Sequence, residues 1–234
     1  GAAALHITAE TEAQGLRDLG LDLAPMQLIP NGVDLPPMPT QADIDAVWGD
    51  VPQGQRVAYL GRLGWNKGID MAIAATRAHP DAVIRLAGHD EIGLQAQLEP
   101  QLIREDGRSA GAFLGQLDGA RKWALVAGAD VMLVPSVQEN FGNVVTEAMA
   151  TGTPVIATEG VGAATYLARV DPGLRVPRSQ DVLNARLAEI LADAPRRARI
   201  ATLGRELVAT ELDWTTIARE AAALYARLAR GVRS

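Results

Sequence analysis

The sequence predicts an α/β fold, a single doubly wound parallel sheet followed by a helical C-terminal tail. Three observations carry that prediction. Short apolar runs rich in Val, Ile and Leu recur along the chain, helical patterns separate them nearly throughout, and from Gln180 onward the pattern is helical only. Runs that are apolar at almost every position suit strands buried on both faces, and their alternation with helices suits a parallel sheet. With 234 residues, 48% hydrophobic and 21% charged, the chain has ample material for one core.

The elements follow in order. Strand Leu5–Ala9 leads into a helix over 10–19 and strand Met26–Ile29. The Pro-rich patch Leu35–Thr40 reads as a surface loop. After it, Asp43-Ile-Asp45 opens a short helical pattern; such an acidic pair can serve a metal, but helix N-terminal acids are the reading adopted. Next come strand Arg56–Leu60, a helix over 68–79, strand Ala82–Ala87, a helix over 91–105 and strand Ala110–Leu114. A helix over 119–129, strand Val131–Val134, a helix over 143–151, strand Pro154–Thr158 and a helix over 161–169 complete the alternation. The helical tail breaks near Pro195 and Asp213. No repeat, low-complexity tract or long linker interrupts the chain, so residues 1–234 are expected to form one domain.

Composition excludes several classes. The net charge of −6 argues against a broad electrostatic grip on nucleic acid. The absence of cysteine removes disulfide scaffolds, thiolate metal sites and cysteine nucleophiles, and it fits a reducing, cytoplasmic compartment. No apolar run approaches the roughly 18 residues that span a bilayer, and the longest, Ala124 to Val134, is cut by Asp130. Charge is uneven: residues 195–234 hold eight Arg and four acids, net +4, which leaves −10 on the rest. A basic end can meet a membrane surface or an acidic partner, but a solvated helix face is the reading adopted. The opening Gly1-Ala-Ala-Ala4, with no initiator Met, reads as a segment of something longer.

Two stretches carry the chemistry. In the first, Val131 to Ala157, the loop Ser136–Gly142 ends at a helix N-terminus, where free N–H groups and the helix dipole favour an anion. Glu139 and Glu147, eight apart, can both face the crevice at the strand ends, one near its mouth and one deeper. Carboxylates accept paired hydrogen bonds, which suits vicinal hydroxyls of a sugar or ribose. Spacing alone supports equally a helix N-terminal charge and a solvated mid-helix acid. In the second stretch, Tyr59 to Asp70, a strand feeds a loop with Gly61, Gly64 and Gly68, in which Arg62 and Lys67 are the only cations. That arrangement can clamp a pyrophosphate, though it is neither a Walker A loop nor G-x-G-x-x-G.

Together these stretches resemble the donor-binding half of GT-B glycosyltransferases, in particular the retaining family 4. Pro30-Asn-Gly-Val-Asp34, Leu86-Ala-Gly88, Phe113-Leu-Gly115 and Ala129 to Ser136 add to the likeness, and Glu139 and Glu147 fall on its E-x7-E motif. The resemblance implies a Rossmann-like half of a GT-B fold that binds a nucleoside-diphosphate sugar and transfers a mannose- or glucose-like hexosyl group to a saccharide or lipid-linked acceptor. It implies retention of anomeric configuration and no metal or other cofactor. Arg62 and Lys67 would bind the pyrophosphate and stabilise the leaving group, and Glu139 would hydrogen-bond the donor sugar. Glu147 would hold the ribose, with Gly61 and the backbone of Phe141, Gly142, Asn143 and Val144 completing the site. The acceptor domain would lie in an absent N-terminal half, to which His6 to Glu12 looks like the crossing, so donor binding without transfer is expected of this chain. UDP, GDP and ADP sugars fit equally. The basic end adds the expectation of a peripheral contact at the inner face of a membrane.

One position departs from the pattern: Thr165 stands where the family usually has an acid, which puts one polar contact to the donor in doubt. Two other readings compete. The chain could be a nucleotide-binding or interaction module without transferase activity. More distantly, Gly160-Val-Gly162 with Asp181 resembles a partial dinucleotide fingerprint of an NAD-type oxidoreductase. His89-Asp90-Glu91 reads as a helix cap rather than a metal site. Trp48, Trp123 and Trp214 read as packing residues, with Trp65 the exception because it sits in the phosphate-type loop.

Overall fold

In the computed structural model, which describes residues 2–34, 37–49 and 51–231, the main sheet has six strands, all parallel. In chain order they are β3 (Arg56–Leu60), β4 (Val83–Ala87), β5 (Gly111–Phe113), β6 (Val131–Val134), β7 (Val155–Thr158) and β8 (Arg175–Val176). Their spatial order is β5-β4-β3-β6-β7-β8. The chain therefore walks outward from β3 in one direction, returns to the middle, and walks outward from β6 in the other. The edge strands β5 and β8 are less buried, while β6 and β7 are buried at every position, β3 at all but Leu60 and β4 at all but Val83 and Arg85. That is why these strands read as unbroken apolar runs.

The expected continuous sheet does not include the first two strands. β1 (Leu5–Ile7) and β2 (Met26–Leu28), flanking α1 (Glu10–Asp18), form a separate parallel pair, Leu5 opposite Met26. Each has only three residues, and only Ile7 is buried, so neither presents the two apolar faces that the centre of a parallel sheet requires. The pair is held by the Ile29 N–H donating to Ile7 O, by the His6 ring on Ile29 O, and by Arg227 of the last helix donating to Gln27.

The acids after the Pro-rich loop are helix acids. Thr40 caps α2 (Gln41–Trp48), and Asp43 accepts from both Thr40 N–H and Oγ1 in a capping box. Leu35 and Pro36 of that loop lie outside the described residues. The fully buried Trp48 gives its indole N–H to Leu125 O on α5 (Gly119–Ala127).

The helix expected over 91–105 is shorter. After α3 (Ile69–Ala78), α4 covers only Leu94–Leu98 and tightens into a 3-10 turn at Glu99–Leu102. Asp90 accepts from the N–H groups of Ile92, Leu94 and Gln95, which fixes the late start, and Pro100 has no N–H to continue an α ladder. α6 spans Asn143–Thr151 as expected. α7 begins at Ala164 because Val161 to Ala163 are taken up by the loop before α6. The tail divides into α8 (Gln180–Ala192), α9 (Ala194–Leu207), a π turn at Val208–Leu212 and α10 (Trp214–Gly231). Asp193 caps α9 beside Pro195 and Asp213 caps α10, the two breaks that the sequence marks.

Most of the described arginines of the basic tail face solvent, as expected, but two turn inward. Arg196 binds the buried Asp171 in a two-pronged pair at 2.8 and 2.9 Å, and Arg197 donates to Ile190 and Leu191 carbonyls within reach of Asp130. The Arg196 hydrogen bonds, helped by the Gly173 N–H, hold the Asp171 carboxyl below the usual carboxylate range. A depressed folded-state value contributes stability above the unfolded carboxylate range, and that stability is lost as pH falls through the folded value. Asp171→Asn is therefore expected to destabilise by about 2 kcal/mol at neutral pH. In denaturant melts the gap between variant and parent should begin to narrow below about pH 4, where the unfolded chain's aspartates protonate, and keep shrinking until the pH falls below the folded-state value of Asp171. A gap independent of pH would contradict this.

Candidate functional site

The reversal of direction between β3 and β6 leaves a crevice outside their carboxyl ends, where open α/β sheets bind ligands. The two loops that leave these strands are the two stretches singled out from the sequence, 61–68 and 135–142. Each loop is pinned to a neighbour. Val137 N–H donates to Asn66 O at 2.7 Å, which ties one loop to the other. Glu139 N–H donates to Gly160 O, Gly162 N–H to Glu139 O and Ala163 N–H to Phe141 O, which bind the second loop to the turn after β7.

Two glycines make this packing possible. Gly68, in the left-handed region at φ +64°, lies so close to Pro135 that a Cβ would stand 2.2 Å from its carbonyl oxygen. Gly142, at φ +87°, precedes α6 and a Cβ there would strike Val161. α6 therefore starts at the crevice, with Asn143 and Val144 in its lining, and a helix's first N–H groups have no carbonyl one turn back within the helix.

Lys67 and Glu139 meet at the centre. Lys67 Nζ is 3.2 Å from Glu139 Oε1, each side chain is only 16% exposed, and Ser136 Oγ donates to the same oxygen at 2.6 Å. Two adjoining cavities share Lys67, Glu139 and Asn143. One, of about 250 Å³, runs from Tyr59, Gly61 and Arg62 to Ser136 and Val144. The other, of about 490 Å³, is lined also by Thr8, Glu12, Asn31, Phe141 and Gly142. Tyr59 gives its hydroxyl proton to Arg62 O, and burial together with the Glu139 charge pushes its ionisation well up, so it stays a neutral donor.

Of the residues picked from sequence, Gly61, Arg62, Lys67, Glu139, Asn143 and Val144 come together around one cavity, and Phe141 and Gly142 around its neighbour. The Phe141 side chain is core, edge-on to Tyr166 at 6.3 Å, so only its backbone faces a ligand. Arg62 is 64% exposed and turned toward Glu91 at 3.5 Å. Glu147 lines neither cavity. It pairs with Lys122 of α5 at 2.7 Å, and at 21% against 16% for Glu139 the two acids do not divide into a mouth and a deep position. Sequence reasoning assigned no role to Lys122, Tyr59, Ser136 or Asn31; the last three stood inside quoted stretches, and Lys122 in none. Thr165 turns its hydroxyl onto Gly162 O.

The dinucleotide-like glycines do other work. A Cβ on Gly160 or Gly162 would stand 2.1 Å from the carbonyl oxygens of Val137 and Asn140, so loop backbone fills their space. Asp181 lies in the first turn of α8. Of the tryptophans expected to pack, only Trp48 is fully buried; Trp214, 49% exposed, lays its ring over Gly32, and Trp65 is 66% exposed.

This is the Rossmann-like architecture of one half of a GT-B fold. The family model described as glycosyl transferases group 1 matches residues 41–207, and the chain belongs to that family. It is 32% identical over 219 residues to glycogen synthase of Mycobacterium tuberculosis, and 34% identical over 206 residues to a phosphatidyl-myo-inositol mannosyltransferase of Mycolicibacterium smegmatis. These matches take in 92% and 84% of this chain but 51% and 50% of the relatives, so the chain spans about half the length of the curated relatives it matches. Among solved structures, sucrose-phosphate synthase from Thermosynechococcus elongatus superposes with a TM-score of 0.82 at 28% identity, over 99% of this chain and 59% of that one. HepE of Anabaena, in complex with UDP and glucose, shares the fold with a TM-score of 0.85 at 23% identity, over 97% of this chain and 64% of that one.

The close approach at Gly68 makes a definite expectation. Gly68→Ala combines an unfavourable backbone region with a clash against fixed backbone, and should cost at least about 2 kcal/mol. Equilibrium unfolding measures it; an unchanged midpoint would show that the two loops are not in contact.

Proposed function

We propose that this chain binds a nucleoside-diphosphate sugar and serves as the donor half of a retaining, metal-independent glycosyltransferase. The observation that carries this reading is the gathering of Lys67, Arg62, Glu139 and the α6 N-terminus at the switch point between β3 and β6. Membership of the group 1 family supplies the reaction class.

In this reading the diphosphate meets the α6 N–H groups, Lys67 and Arg62. Departure of a nucleoside diphosphate leaves negative charge on its terminal phosphate, and preorganised cations beside it are the strongest lever on such a step. Lys67 is already held in place by Glu139. Phosphate oxygens compete for that ammonium, and a Glu139 so relieved accepts hydrogen bonds from the sugar hydroxyls. Glu147, steadied by Lys122, takes the ribose. The transferred group is a hexosyl, mannose- or glucose-like, and the acceptor is a saccharide or a lipid-linked saccharide held by a further domain of a longer protein. Transfer by this segment alone is not expected. A cytoplasmic setting agrees with the cysteine-free composition.

Calorimetric titration of UDP, GDP, ADP and NADH tests this. One nucleoside diphosphate should bind, and Lys67→Ala should weaken it roughly tenfold or more, the worth of one charge-assisted hydrogen bond. Glu147→Ala should weaken it as well. Binding of NADH in preference to all three diphosphates, or indifference to both substitutions, would refute the assignment.

A further inference from the structure

The loop from Pro30 to Asp34 enters the site from a separate part of the chain, and its backbone is firmly held. Val33 N–H donates to Leu212 O at 2.8 Å and Val33 bridges to Asp213, at the junction of the π turn with α10. The Trp214 ring lies where a Cβ of Gly32 would be, 2.5 Å from a ring carbon, so glycine is what lets the indole close over the loop. From this anchored position Asn31 reaches across to α6. Its Nδ2 donates to Asn143 Oδ1 at 2.9 Å, a contact between residues 112 apart in sequence.

Asn143 is the first residue of α6 and one of the side chains common to both cavities; Asn31 lines only the larger. A carboxamide is one rigid plane with an acceptor at one end and two N–H donors at the other. Engaging the oxygen of Asn143 therefore decides the orientation of the whole group and leaves its NH2 as a donor. Without that engagement the group can turn over and offer an oxygen instead, which repels a phosphate.

We propose that Asn31 is a positioning residue of the donor site: by donating to Asn143 Oδ1, it fixes the Asn143 carboxamide so that its NH2 donates to an oxygen of the bound nucleotide sugar. The inference rests on the donor-site reading above. Through Val33, Gly32 and Trp214 it also ties that donor to the C-terminal helix, so the start of α10 sets the geometry of a site formed by other elements.

The test titrates UDP-glucose, GDP-mannose and ADP-glucose into the unaltered chain, then the sugar nucleotide that binds into Asn31→Ala, Asn31→Asp, Asn143→Ala and the Asn31→Ala/Asn143→Ala double variant. Thermal midpoints are recorded for each. Asn31→Ala should weaken binding about five- to tenfold, the worth of one hydrogen bond. The isosteric Asn31→Asp should weaken it at least as much, because an ionised carboxylate cannot donate and draws the Asn143 NH2 toward itself. In the Asn143→Ala background, Asn31→Ala should cost nothing further, the signature of one residue acting through another. Affinity unchanged by Asn31→Ala, or equal losses from it in both backgrounds, would overturn the proposal. No binding of any sugar nucleotide by the unaltered chain would overturn the donor-site reading itself, and this inference with it.

Discussion

The site exists because the sheet changes direction between β3 and β6. Chain leaving β3 crosses to β4 on one side, and chain leaving β6 crosses to β7 on the other, so their loops part and leave a gap that no crossover helix covers. Backbone at the edge of such a gap must find hydrogen-bond partners or water. Here the loops meet one another: Val137 on Asn66, Glu139 on Gly160 and Gly162, Ala163 on Phe141. The crevice walls are thus tied to one another by backbone hydrogen bonds, and α6 begins at the crevice with Asn143 and Val144 in its lining.

Two lysine–carboxylate pairs on different elements stand at and beside the crevice, the first in its wall and the second outside its lining. Lys67 with Glu139 and Lys122 with Glu147 are each partly buried, where a lone charge would be costly. Pairing gives each of these charges a partner, and the Lys67 ammonium is held at the wall of both cavities. Such pairs add little net stability, since desolvation offsets much of the attraction. Their value lies in exchange. In the proposed donor reading, an entering phosphate takes Lys67 from Glu139 with no net loss of partners, provided Glu139 gains hydroxyl donors in return, and a nucleotide sugar brings both groups in one molecule.

Much of this was legible in the sequence, for identifiable reasons. Buried parallel strands are apolar throughout, so β3, β4, β6 and β7 stood out, and the phosphate-type loops followed from glycines placed directly after strands. Lys67, Arg62, Glu139 and the α6 start were found because each sits at a strand or helix end, where local pattern is informative. What was missed depends on tertiary contact. Lys122 pairs with Glu147 across 25 residues and belongs to a helix whose sequence shows nothing but amphipathic spacing. Ser136 gains meaning only when Glu139 folds back onto it. The separate β1–β2 pair was hidden because three-residue strands carry the same apolar signature whichever sheet they join. The helix over 91–105 was overextended because Asp90 and Pro100 act on hydrogen bonds rather than on hydrophobic pattern.

The uneven charge of the chain finds its explanation inside the molecule. The tail carries the excess of arginine and the α/β body the excess of acid, and the two are packed together. Arg196 and Arg197 of α9 turn inward to Asp171, which follows α7, and to Asp130, which precedes β6. Asp130 in turn accepts from Gly54 and Arg56 N–H groups, so the same acid fixes the start of β3. These two are only 19% and 15% exposed, whereas Arg199, Arg205, Arg219, Arg227 and Arg230 face solvent. Part of the asymmetry therefore acts as attraction between body and tail, and the rest is a solvated basic face. The inward-turned pair holds α9 against the body, where it packs on α6, α7 and α8, and the π turn that follows leads into α10, where Trp214 meets the loop of Asn31.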